Sequence, residues 1–224
     1  MPIYLEHKPV LLYHFNNIND GVMAGGGYLK TPGRFGQSAS SSAFINEHLI
    51  DTDKDWHVSF WIKINRINSE LFFFRLNYAR NRDGFSFGFY YSEQMLYTIA
   101  TNYCNSVWDL YRRDIRLNHY LSEVKGKWTH YEWDYDAKTH YLYGFQNGIL
   151  IMQEYMSAPV CQDVDKDFIC IGFANPNLAD LSISELLITQ HCMHTANFTP
   201  PDKPYRWPGR GYIFKDGYGT LDKD

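Results

Sequence analysis

The sequence predicts an all-β fold, an antiparallel sandwich or barrel, and three observations carry that prediction. Apolar and polar residues alternate with period two through several segments, as they do when one face of a strand is buried. Aromatic residues make up 17% of the chain, and Tyr, Phe and Trp suit a pleated, half-buried surface. Short apolar runs are separated by Gly, Pro, Asn and Asp turn signals, and about ten such runs in one chain fit a sandwich or barrel.

The runs follow in order. Val10 to Phe15 is short and apolar, and Gly25–Gly27 and Pro32–Gly33 then break the chain. The block Ser38 to Ala43 is small and polar and reads as a loop or edge strand. Trp56, Val58, Phe60, Ile62 and Ile64 share one face of the next strand, with His57, Ser59, Trp61 and Lys63 on the other. Phe72, Phe74, Leu76 and Tyr78 alternate, as do Phe85, Phe87, Phe89 and Tyr91. From Trp128, the residues Thr129, Tyr131, Trp133 and Tyr135 oppose His130, Glu132, Asp134 and Asp136. Tyr141–Phe145 and Ile149–Met152 flank Asn147-Gly148, a type I′ hairpin signal, because that turn needs two positive φ angles. Phe168–Gly172 and Leu181–Ile188 complete the set. A helical period is expected only within Ser106–Val124, where Trp108, Leu110, Tyr111, Ile115, Leu117, Tyr120 and Leu121 suggest a short helix. Past Ile188 the chain reads as an extended, proline-locked peptide through Pro200, Pro201 and Pro204, a way of sealing a sandwich. The expected organisation is one sandwich over residues 1–200 and a Gly-, Pro- and Tyr-rich arm over 201–224.

Length and charge bound the function. A chain of 224 residues can bury a sizeable core. A net charge of -4 and a pI near 6.1 lack the basic footprint that nucleic acid requires. No apolar run reaches the roughly 18 residues of a membrane helix, so no membrane insertion is expected. The first residues lack the basic head and apolar block of a signal peptide, which predicts synthesis and assembly in the cytoplasm. Cys104, Cys161, Cys170 and Cys192 show no metal-ligand spacing and read as reduced core residues, with a Cys161–Cys170 bridge left open.

Candidate sites were weighed against plainer readings. The stretch Tyr103 to Arg113 mixes aromatic and polar side chains, the combination that stacks on sugar rings and bonds their hydroxyls. Tyr103, Trp108, Asp109, Tyr111 and Arg112 are therefore the candidate ligand-binding residues, and a mini-core or a subunit contact is the competing reading. Asp51, Asp53 and Asp55, and again Asp163, Asp165 and Asp167, have the spacing that opens a calcium loop. Neither has Gly at the sixth and Glu at the twelfth position. Both read as turns, with no cofactor expected and calcium kept as the alternative. His191, Cys192 and His194 flank a predicted loop and do not form a zinc motif. Glu132, Asp134 and Asp136 read as a solvent-facing acidic edge.

Several segments resemble laminin G-like (concanavalin A-like) jelly-roll domains, in the order that family has them. They are Leu11–Phe15, Gly33–Gly36 with Ser38, Asp55–Lys63, Trp128–His130, Gln146–Leu150, Ile169–Gly172 and Ile183–Ile188. The closing run Thr195 to Pro201 resembles that of such domains in bacteriophage and prophage tail proteins. The resemblance covers most of residues 10–205 and implies an antiparallel jelly-roll β-sandwich. It also implies a non-enzymatic virion protein, homo-oligomeric, in contact with other virion proteins and presenting its sandwich to host-surface glycan. The alternative is a purely structural capsid or tail piece that joins or decorates other virion proteins. Laminarinase-type hydrolases share this fold and use a Glu-x-Asp-x-x-Glu strand. This chain has Glu132 and Asp134 but Ala137 in the last place, so catalysis is not expected. It also departs from the family in a long stretch between Ile99 and Lys127, expected to be a loop that is functional or disordered.

Overall fold

The computed structural model of the protein describes residues 3–6, 9–13, 28–30, 32–35, 38–40, 43–45, 50–67, 71–76, 84–92, 95–104, 107–111, 116–120, 124–156, 169–171 and 179–206. The described chain is an antiparallel jelly-roll β-sandwich. Its strands are β1 (Ile3–Tyr4), β2 (Leu11–Tyr13), β3 (Tyr28–Lys30), β4 (Ser38–Ser40), β5 (Ala43–Ile45), β6 (Trp56–Ile67), β7 (Leu71–Leu76), β8 (Gly84–Ser92), β9 (Met95–Cys104), β10 (Val107–Tyr111), β11 (Arg116–Tyr120), β12 (Trp128–Asp136), β13 (Tyr141–Gln146), β14 (Ile149–Tyr155), β15 (Ile169–Ile171), β16 (Ala179–Thr189) and β17 (Tyr205–Arg206).

One sheet has the order β10-β9-β8-β7-β15-β5, with β11 also paired to β9. The other has the order β14-β13-β12-β6-β16-β4-β3, with β2 also on β16. The parallel pair β1–β17 joins the start of the chain to the end of its closing segment. Among the described residues no helix is long and apolar enough to cross a membrane.

The period-two pattern places the core. On the inner face of β6 and β12, Trp56 lies opposite Tyr135, Val58 opposite Trp133 and Phe60 opposite Tyr131. Trp56 stacks on Tyr135 with centroids 5.9 Å apart, and Phe60 on Trp133 at 6.3 Å. All six are buried; fully burying a large apolar side chain contributes about 1.5–3 kcal/mol. The polar ends are accommodated too: Gln146 Nε2 donates to the Tyr131 hydroxyl at 3.0 Å inside this core. The Asn147-Gly148 turn has φ of 49° and 75°, the two positive values that a type I′ turn demands.

Two expectations are corrected. The segment 106–124 contributes no short helix over its described part; β10 and β11 run there, both antiparallel to β9. Val107, Trp108 and Tyr111 are β-formers, and pairing along β9 outweighs a loose helical spacing. The stretch between Ile99 and Lys127 is consequently not one long loop but extra strand on a sheet edge. β9 itself, β1, β3, β5 and β17 carried no strand expectation. Residues 207–224 of the expected arm lie outside the described residues.

Candidate functional site

The second face of the eight-stranded sheet carries its polar residues. Antiparallel register sets His57 opposite Asp134, Ser59 opposite Glu132 and Trp61 opposite His130. Contrary to the expected acidic edge, Glu132 and Asp134 do not face solvent, since both are 0% exposed. The closing segment after β16 crosses this face and covers them. Asp136, one pair further along, is half-buried and caps its own turn, accepting from Lys138 N and Thr139 N.

The strap at 190–205 is held at several points. Gln190 takes the Asp51 N–H at 2.7 Å and donates to the Asp51 and Asp55 carbonyls at 2.9 and 2.6 Å. Phe198 N donates to Gly148 O at 2.9 Å, and Leu150 N donates to Asn197 Oδ1 at 2.8 Å. His194 stacks on Phe198, with centroids 3.8 Å apart and planes 6° from parallel, and Phe198 meets Phe145 edge-on at 5.3 Å. Further along, Tyr205 packs with Leu5, Leu12 and Leu187. Tyr205 N donates to Glu185 Oε1 at 2.6 Å. Glu185 has a φ of 57° at a bulge in β16, where the register slips between Ser184 and Leu187.

Beneath the strap lies a compact polar network. His57 Nδ1 is 3.1 Å from Asp134 Oδ1, and His57 Nε2 is 2.9 Å from Ser59 Oγ. Met193 N donates to Asp134 Oδ1 at 2.6 Å, and His194 Nδ1 is 2.5 Å from Glu132 Oε1. An ionised carboxylate only accepts, so His57 Nδ1 donates to Asp134 Oδ1. Burial, reinforced by the neighbouring Asp134 charge, holds the Glu132 carboxyl well above the usual carboxylate range. Burial pushes Asp134 upward too, but the charge and hydrogen bond of His57 and the Met193 N–H outweigh it, and its carboxyl stays below the usual range. His130 is lowered to about 3 by burial and by His57 and His194 nearby. Burial, helped by Asp134, raises the half-buried Cys192 thiol far above neutrality, which disfavours its thiolate.

The other sequence candidates fall as follows. Trp108 pairs directly with Tyr103 across the β9–β10 hairpin, Asp109 with Asn102 and Tyr111 with Ala100. The hairpin forms one edge of the seven-stranded sheet. Arg112 lies outside the described residues. Asp51 is engaged by its own turn, accepting from Asp53 N at 3.1 Å and pairing with Lys54 at 2.8 Å, as the turn reading expects. Asp163, Asp165 and Asp167, with Cys161, lie outside the described residues; so does the Cys170 side chain. The gathering of His57, His130 and His194 around two acids was missed. Its one sequence signal is that β6 and β12 each carry ionisable residues on the face opposite their aromatics.

No family model matches the chain, and no curated protein matches it in sequence. Solved structures do match in fold. Domain 4 of AbnA, an extracellular GH43 arabinanase from Geobacillus stearothermophilus in complex with arabinotriose, is 15% identical with a TM-score of 0.57, over 82% of this chain and 83% of that one. The binding domain of botulinum neurotoxin serotype D is 14% identical with a TM-score of 0.60, over 83% of this chain and 49% of that one. The binding domain of Paraclostridial Mosquitocidal Protein 1 is 14% identical with a TM-score of 0.55, over 77% and 44%. The chain thus spans about half the length or less of the toxin binding domains, and nearly the whole of the arabinanase domain. What is shared is the β-sandwich fold of binding domains.

Proposed function

We propose that the protein is a non-enzymatic binding module that recognises carbohydrate, carried on a bacteriophage virion as an adhesion or structural component. The observation that carries the binding role is whole-domain likeness to a sandwich solved with arabinotriose. Toxin binding domains, one of them a receptor-binding domain, share the fold. The non-enzymatic reading draws support from the strap: the acids nearest to a hydrolase pattern, Glu132 and Asp134, are sealed from any polysaccharide. A retaining or inverting glycosidase needs both carboxyls open to the scissile bond. The virion reading rests on the resemblance of the closing run Thr195 to Pro201, which in this fold is the strap itself.

The binding residues we assign are Tyr103, Trp108, Asp109, Tyr111 and Arg112. The β9–β10 hairpin that carries the first four ends the seven-stranded sheet, away in sequence from the strapped face. The test is a glycan array probed with the full chain and with Trp108→Ala. Binding to one glycan class that falls at least about tenfold in the variant supports the site. No glycan bound by either protein, with the chain found inside particle joints by mass analysis and imaging, would replace adhesion by a purely structural role. Absence from purified particles would remove the virion assignment.

A further inference from the structure

We propose that His57, Glu132 and Asp134 form a binding site for a single divalent first-row metal ion of the zinc class, beneath the strap residue His194. The site goes beyond carbohydrate recognition and does not depend on it. Among the described residues, His57, Glu132 and Asp134 are the one group of His, Cys, Asp and Glu side chains close enough to ligate a single ion; their ligand atoms all lie within 4.8 Å of one another. Ligand atoms standing about 2.0–2.1 Å from a tetrahedral zinc are about 3.3 Å apart. The distances of 3.1 Å from His57 Nδ1 to Asp134 Oδ1 and 3.8 Å to Glu132 Oε1 bracket that spacing.

A second observation points independently to a cation. Glu132 Oε2 and Asp134 Oδ2 are buried, and no fixed donor reaches either. Among the described residues the only basic side chains in ion-pair range of these acids are His57 and His194; no Lys or Arg joins them. Two buried carboxylates need compensating positive charge or protons nearby. A bound dication supplies that charge. The surroundings also fit a ligand set, because metal-binding groups are oriented by a further layer of hydrogen bonds. His57 Nε2 is held by Ser59 Oγ, which the Tyr205 hydroxyl engages in turn. Met193 N fixes Asp134. With the metal on Nδ1, His57 carries its proton on Nε2 and donates it to Ser59. An imidazole with two carboxylates favours zinc, manganese or iron over calcium or magnesium, which take all-oxygen shells. All three side chains are buried, so the site is structural, and the His194 hydrogen bond to Glu132 ties the strap to it.

The experiment loads the full chain with zinc during refolding from denaturant, so that the closed strap is no barrier. It then desalts the protein and measures metal content by mass spectrometry. The expected result is one ion per chain, a melting temperature that falls on chelation and recovers on readdition, and a visible spectrum of tetrahedral cobalt after exchange. Glu132→Gln should lower the retained metal at least about tenfold, whereas His191→Ala, at an exposed histidine outside the cluster, should keep it. Should Glu132→Gln fail to fold, the wild-type melting shift and cobalt spectrum decide alone. Wild-type protein retaining less than about a tenth of an ion, with a melting temperature indifferent to zinc and chelator, overturns the proposal. So does metal that is lost in His191→Ala and kept in Glu132→Gln.

Discussion

Gly148→Ala tests whether the strap is a fitted part of the fold. Gly148 has a φ of 75°, and an added Cβ would stand 2.0 Å from the Phe198 carbonyl oxygen and 2.8 Å from Pro200 Cδ. Left-handed backbone costs an ordinary residue roughly 1–2 kcal/mol. The strap must also retreat by more than an ångström to reach van der Waals distance. That breaks the Phe198 N to Gly148 O bond of 2.9 Å and strains the Leu150 N to Asn197 Oδ1 bond of 2.8 Å, each about 1 kcal/mol. Adding partial loss of the Phe198 and His194 packing, the variant should be destabilised by about 3–5 kcal/mol. Gly126 supplies the control. Its φ is 72°, and an added Cβ meets nothing within 4 Å, so Gly126→Ala should cost only the backbone term, about 1–2 kcal/mol. Urea unfolding followed by tryptophan fluorescence measures both. Equal losses in the two variants would show that the strap does not rest on the hairpin, and the account of a sealed acidic face would fail with it.

Other substitutions probe the same cover at separate anchors. Gln190→Ala removes three hydrogen bonds to the Asp51–Asp55 turn and should cost about 1–3 kcal/mol in the same urea assay; a loss indistinguishable from zero would contradict the anchoring. Phe198→Ala removes the ring that stacks on His194 and meets Phe145. Because Phe198 is only half-buried, the expected loss is about 2 kcal/mol, below the 3–5 of a fully buried Phe. Glu185 combines a left-handed backbone with a carboxylate that accepts from Tyr205 N. Glu185→Gly should therefore be more stable than Glu185→Ala by about 1 kcal/mol, since both lose the bond and only glycine loses the strain. The reverse order would argue against a strained bulge.

Much of the sandwich was legible because period-two patterning is local. The inner face of β6 and of β12 is spelled out residue by residue, and Asn147-Gly148 specifies its own turn. The edge strands β10 and β11 were not, because their β state comes from pairing with β9, a partner that the helical spacing of Trp108, Tyr111 and Ile115 does not reveal. The acidic face failed for a related reason. Glu132 and Asp134 alternate with aromatics, as solvent-facing residues do, and only a segment some 60 residues later buries them. The proline-rich closing run was recognisable as a seal, but its sequence does not say which face it seals. The histidine cluster is less visible still, because β6–β12 register and the strap assemble it from three separated stretches.

The proposed role requires the protein to hold carbohydrate without cutting it. Native mass spectrometry of the full chain with its best glycan from the array tests this directly. The predicted result is a saturable complex whose glycan mass is unchanged after prolonged incubation and which is weakened by Trp108→Ala. Shorter saccharides that accumulate with time, and vanish in Glu132→Gln, would contradict it and return the acidic face to catalysis.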